Sequence, residues 1–318
     1  GSFTTRALAN FNISGMRASP DFRWALGAIK LAACQANCEL GLLGKKEARA
    51  MEQAGREFME GKFDEEFALD VYQAGAGTPF NMNANEVIAN RANELMGAAK
   101  GSYKFVRPND HVNMAQSSND VIPTATRLAT LVGLKELEVE MVALAKSLSS
   151  MGKKHAKLLK VGRTQLQDAV PVTLGQEFEA YASAIRTAQR TLNEAQKELC
   201  LLGIGGTATG TGITAHPEFK KRIAAHLSKL TGFSLKNAPN LIETTHSQSA
   251  LLKASSALRT LAVEVNRIAN DLRLLTSGPK AGFNEIVLPE VEPGSSIMPG
   301  KVNPSVAECM NMICGQVI

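Results

Sequence analysis

The chain has 318 residues, 44% hydrophobic and 20% charged, with one Trp and three Tyr; that is enough apolar material for a large core and excludes a disordered or collagen-like chain. The formal net charge of +5 comes from Lys and Arg scattered singly or in short groups such as Lys220-Lys221-Arg222, with no basic run interleaved with aromatics, which argues against nucleic acid as a partner. No apolar stretch reaches the length of a membrane span, and five cysteines without a CxxC pair (Cys34, Cys38, Cys200, Cys309, Cys314) point to free thiols in a reducing, cytoplasmic compartment.

Residues 1–117 predict shorter helices, over 21–43, 45–60 and 84–98, joined by polar, Gly-containing loops. A boundary after residue 117 separates this smaller, mainly helical N-terminal domain from a central bundle over 118–318. Pro123 suits the first turn of a helix that follows Ser117-Ser118-Asn119-Asp120. Three seams then alternate spacings of three and four. They are Leu134, Leu137, Met141, Leu144, Leu148, Met151; then Leu174, Phe178, Tyr181, Ile185, Ala188, Leu192, Ala195, Leu199; then Leu251, Ala254, Leu258, Leu261, Val265, Ile268, Leu272, Leu275. At 1.5 Å per residue the third spans about 36 Å. The expected fold is all-α: an elongated bundle of helices near 121–157, 173–202 and 245–276, packed nearly parallel or antiparallel.

No run alternates convincingly as a strand, so any sheet should be short and peripheral. Irregular segments rich in Gly, Pro and small polar residues fall at 73–83, 161–171, 203–217 and 277–304, where chemistry between rigid helices is expected. Gly1-Ser2 reads as a cloning remnant. The chain stops at Gly315-Gln316-Val317-Ile318 within a helical pattern, which reads as a cut with the C-terminal part of the fold missing.

The last loop carries Gly294-Ser295-Ser296-Ile297-Met298-Pro299-Gly300-Lys301-Val302-Asn303-Pro304. Loop amides can bind an anion, Lys301 and Asn303 can hold a carboxylate, and either serine can serve as base or nucleophile; a flexible surface loop explains the composition equally well. Gly203-Ile204-Gly205-Gly206-Thr207-Ala208 fits GxGxxA but follows a long helix, and reads as a turn rather than a dinucleotide site. His111, His155, His226 and His246 read as structural, and no His/Cys/carboxylate set has metal-ligand spacing.

GSSIMPGKVNP resembles the signature of the aspartase/fumarase superfamily. Gly75–Thr78 with Asn81–Glu86, Asn109–Asn113 with Gln116–Asp120, Gly162–Asp168 with Gly175–Glu177, and Ser277–Gly282 resemble the family's other conserved stretches, in family order. The resemblance implies a lyase that removes a proton next to a carboxylate and a leaving group from the neighbouring carbon of a small dicarboxylate. It implies Ser295 as the base and a lid that closes over it. Thr78, Asn81, Ser117, Ser118, Asn119, Thr164, Gln165, Lys301 and Asn303 are implied as substrate-binding, with Ser296 and Glu308 in support. A homotetramer with sites shared among three chains is implied too. It requires no cofactor and no bound metal, and it admits a divalent cation as activator. Within the family, Gln165 after the GRT and Gly75-Ala76-Gly77-Thr78 resemble ammonia-lyases acting on L-aspartate, whereas Gln116–Asp120 and Ala238-Pro239-Asn240 resemble class II fumarases. Ammonia elimination is the first expectation, malate dehydration the alternative, and a non-catalytic helical scaffold the third.

Overall fold

The computed structural model describes residues 1–318. In chain order its elements are α1 (Ser2–Asn10), α2 (Pro20–Glu39), α3 (Lys45–Met59), α4 (Thr78–Leu95), α5 (Ser118–Lys154), β1 (Leu159–Thr164), β2 (Gln167–Thr173), α6 (Leu174–Leu199), β3 (Leu201–Leu202), α7 (Phe219–Thr231), β4 (Lys236–Asn237), α8 (Leu241–His246), α9 (Ser249–Leu275) and α10 (Ser305–Val317). The class is all-α, as expected. Short helical turns at 64–66 and 108–112 complete the list.

By compactness the chain forms two units: 1–134 with 197–250, and 135–196 with 251–318. The chain thus leaves the first unit inside α5, not at the boundary expected after residue 117, because one continuous helix carries it onward. In the first unit α2 packs against α3, α4 and α7. Its start is local chemistry: the Ser19 hydroxyl accepts from the Phe22 amide at 3.2 Å, and Pro20 stands where no amide is needed. Phe22, Phe58, Phe67 and Phe80 form an aromatic chain with centroids 5.4–5.6 Å apart.

In the second unit all the α6 seam positions from Leu174 to Ala195 are buried, as the 3.6-residue period demands. Ser149 bonds Glu179 at 2.7 Å and Gln189 reaches Glu138 at 3.5 Å, so the C-terminal part of α5 runs antiparallel to α6. Asn311 bonds Asn266 and Arg273 reaches Glu308, which sets α10 antiparallel to α9.

Three local expectations change. Gly77 sits at φ +67 and Pro79 follows at the second helical position, so α4 starts at Thr78 and 78–83 is helix, not loop. Pro123 is the sixth residue of α5, one turn further in than expected, because Ser118 already opens the helix. Residues 159–173 are a β-hairpin, and a two-residue strand, β3, precedes Gly203 and pairs in parallel with β4. Such sheets are short, as anticipated.

Candidate functional site

The first unit gathers hydroxyls where two helices begin. Thr78 opens α4 and Ser118 opens α5, and their side-chain oxygens lie 3.2 Å apart. Both helix N-termini contribute partial positive charge at this point, which favours an anion. The Ser117 hydroxyl accepts from the Asn119 amide at 3.2 Å, and Asn119 Nδ2 donates to the Ala208 carbonyl at 2.8 Å. Beneath them Asp120 is 1% exposed and accepts from the amides of Ser117, Gly205 and Thr207 at 2.9–3.0 Å. Burial pushes its carboxyl up to about 6 despite those bonds.

Asn81 does not join the open cluster. It is 2% exposed, its Oδ1 accepts from Lys30 Nζ at 2.7 Å, and its Nδ2 donates to Asn113 Oδ1 at 3.1 Å. Both ends of the amide are engaged inside the unit, because α4 starts early enough to turn this residue inward.

In the second unit the signature segment is closed on itself. Asn303 Nδ2 donates to the Gly294 carbonyl at 2.8 Å, and the Lys301 amide reaches Met298 O at 3.3 Å. A Cβ on Gly294 would stand 1.8 Å from the Lys301 carbonyl oxygen, so only glycine permits this approach. Ser295, half-buried, follows the clamp; its hydroxyl accepts from the Ile297 amide at 3.3 Å. Ser296 is exposed. Lys301 is exposed and carries no ion pair. An open cleft of about 900 Å³ is lined by Arg273, Thr276, Ser277, Lys301 and Asn303. Arg273 Nη2 is 3.4 Å from Glu308 Oε1, so the expected supporting carboxylate is held by an arginine of α9.

Thr164 and Gln165 sit exposed at the tip of the hairpin. Thr164 pairs with Gln167, leaving Gln165 and Leu166 as a two-residue turn with φ +52 and +64. Neither is Gly, Asn or Asp, so each costs on the order of 1 kcal/mol of strain. The first strand of the hairpin is anchored near both ends: Glu285 takes Lys160 at 2.6 Å and pairs with Arg163 beside the turn, and Lys160 also meets Glu177 at 2.7 Å. Burial would raise the Glu285 carboxyl, but Arg163 and Lys160 outweigh it and hold it below the usual range. Arg163 also stacks 3.9 Å over the Phe283 ring.

Lys30, Arg273 and Glu285 were missed in the sequence. Lys30 had a signal, as a lone charge in the apolar run Ala25–Ala36. Arg273 and Glu285 had none, since a charge on a polar helix stripe or in a loop is ordinary. His111 Nδ1 accepts from the Arg107 amide at 3.0 Å. His226 contacts Glu39 at 3.1 Å.

A family described as Lyase matches residues 1–318. An aspartate ammonia-lyase of Bacillus sp is 46% identical over 317 residues, covering 100% of this chain and 68% of the relative. A fumarate hydratase class II of Neisseria meningitidis is 46% identical, covering 100% of this chain and 69% of that one. The crystal structure of "fumarate lyase:delta crystallin" from Brucella melitensis bound to cobalt superimposes with a TM-score of 0.96 at 46% identity, over 100% of this chain and 70% of that chain. Most of the near relatives bear the name fumarate hydratase class II.

Proposed function

This chain belongs to the aspartase/fumarase superfamily of lyases, and we propose that it forms fumarate reversibly from a four-carbon dicarboxylate, with L-malate as the first substrate. The names of its relatives support malate ahead of aspartate and reverse the order expected from sequence alone. The observation that supports the elimination chemistry is the closed signature segment: Asn303 is bonded back to Gly294, the residue before Ser295, and Lys301 and Asn303 line an open cleft.

In this reading Ser295, as its oxyanion, takes the proton from the carbon next to one carboxylate and becomes the hydroxyl, and the hydroxide that leaves from the neighbouring carbon takes up a proton from solvent to depart as water. Lys301 and Asn303 stabilise the dianionic carboxylate that develops, an electrostatic role in which preorganised donors act most strongly. Thr78, Ser117, Ser118 and Asn119 bind an anionic end of the substrate or the leaving group. Thr164 and Gln165 serve at the hairpin tip, with Ser296 and Glu308 in support. A homotetramer whose sites draw loops from three chains is part of the proposal, and light scattering tests it. Activation by a divalent cation is tested by adding magnesium to EDTA-treated enzyme.

L-Aspartate is the second reading. Gln165 favours it: a neutral amide supplies no titrating proton, which a leaving hydroxide needs and a leaving ammonia, departing from an ammonium, does not. The deciding measurement is kcat/KM for both substrates, followed by fumarate's ultraviolet absorbance. A ratio favouring malate supports the first reading, a ratio favouring aspartate the second, and no fumarate from either refutes both.

A further inference from the structure

Lys30 lies on α2 among Ala, Leu and Ile and is 2% exposed. Its ammonium has three N–H donors, and all three are used: Asn81 Oδ1 at 2.7 Å, Gln116 Oε1 at 2.9 Å and Asn113 Oδ1 at 3.1 Å. None of these acceptors is a carboxylate. Asp120 is the charge that favours its protonated form, and burial still brings the ammonium down to about 7. Removing an ammonium from water is expensive, and a Met or Leu would fill this space at lower cost. The charge therefore contributes something other than stability.

The acceptors show what. Asn81 is three residues past Thr78 on α4. Asn113 and Gln116 bracket the turn that delivers Ser117-Ser118-Asn119 to the start of α5. That turn is strained, with Ala115 at φ +60. It is braced by Gln116 Nε2 on the carbonyls of Val112 and Met114 at 3.0 and 3.2 Å, and by Asn113 Nδ2 on Gln116 O at 3.2 Å. Strain of this kind persists only where neighbours over-determine it. One buried cation thus ties α4 to the 113–116 turn, directly beneath the 3.2 Å contact of Thr78 with Ser118.

We propose that Lys30 is a positioning residue that fixes the spacing of Thr78 from Ser117-Ser118-Asn119, and with it the anion-binding geometry of that cluster. The proposal rests on reading these hydroxyls as substrate-binding.

The test uses the complete gene product and four variants: Lys30→Met, Ser118→Ala, the double variant, and Gln116→Met. Lys30→Met should fold with unchanged or higher thermal stability, since a buried charge is gone, while kcat/KM falls about 10–100-fold, chiefly through KM. The effects of Lys30→Met and Ser118→Ala should be strongly non-additive, because the first acts through the second's surroundings. Lys30→Met with KM unchanged, or effects that simply add, overturns the proposal. If Lys30→Met does not fold, Gln116→Met decides: a several-fold rise in KM supports positioning, and an unchanged KM overturns it. If Ser118→Ala leaves KM unchanged, the substrate-binding reading of the cluster fails and the proposal falls with it; if Ser118→Ala raises KM and Lys30→Met does not, only the positioning role fails.

Discussion

Gly294→Ala probes the signature segment with a single methyl group. Its Cβ would meet the Lys301 carbonyl oxygen at 1.8 Å and the Lys301 carbonyl carbon at 2.7 Å. Both are backbone atoms, so no side chain can swing away. Ordinary carbon contacts begin well beyond 3 Å, so residues 294 and 301 must part by at least about 1 Å. That displacement stretches the 2.8 Å bond from Asn303 Nδ2 to the Gly294 carbonyl beyond useful length. Ser295 and Lys301 both belong to the loop that this bond closes, so both shift when it opens. A misplacement of about 1 Å costs on the order of 100-fold in rate, equivalent to roughly 2.7 kcal/mol of barrier. The segment is largely exposed, so unfolding free energy should fall by only about 1 kcal/mol or less, the worth of one hydrogen bond. The assay pairs fumarate absorbance at saturating and limiting substrate with urea unfolding. Gly315→Ala in α10 is the control, because its Cβ would meet nothing within 4 Å. A folded Gly294→Ala enzyme with kcat/KM within about threefold of the wild type would refute the reasoning.

Ser295→Ala should lower kcat by about 10²–10⁴-fold with little change in KM or in circular dichroism, and near-normal turnover would remove Ser295 as the base. Glu285→Gln leaves Lys160 and Arg163 without their shared carboxylate; stability measured by urea unfolding should drop by about 1.5–3 kcal/mol, and protease cleavage near the Gln165-Leu166 turn should accelerate. Ile185→Ala, at a fully buried seam position of α6, should cost about 2–5 kcal/mol in the same unfolding assay. Asp70 accepts amides from Tyr72, Ser14 and Gly15 at 2.7–2.8 Å, and these hold its carboxyl well below the usual carboxylate range. A depressed folded value means stability that is present above the unfolded pKa of 3.8 and lost as pH falls below it, so the gap between wild type and Asp70→Asn in urea midpoint should narrow from pH 6 to pH 3.

The all-α class and the three long helices were legible in the sequence because helical periodicity is a local property. Leu174 to Leu199 repeats every three or four residues whatever lies opposite, and the buried face of α6 follows that repeat. The signature segment was legible too, since its resemblance to the family is carried by contiguous residues. The hairpin over 159–173 was not. Its turn residues, Gln165 and Leu166, carry no Gly, Asn or Asp signal, and their left-handed backbone is held by strand pairing and by the Glu285 anchor 120 residues further on. Asn81 read as a substrate ligand because its motif does; only the fold, by starting α4 at Thr78, turns its amide inward onto Lys30. Lys30 itself meets acceptors 51, 83 and 86 residues away in the chain. A charge in an apolar helix announces that some partner exists, but which partner depends on how separate helices pack, and that is decided by the free energy of the whole core rather than by any local run of residues.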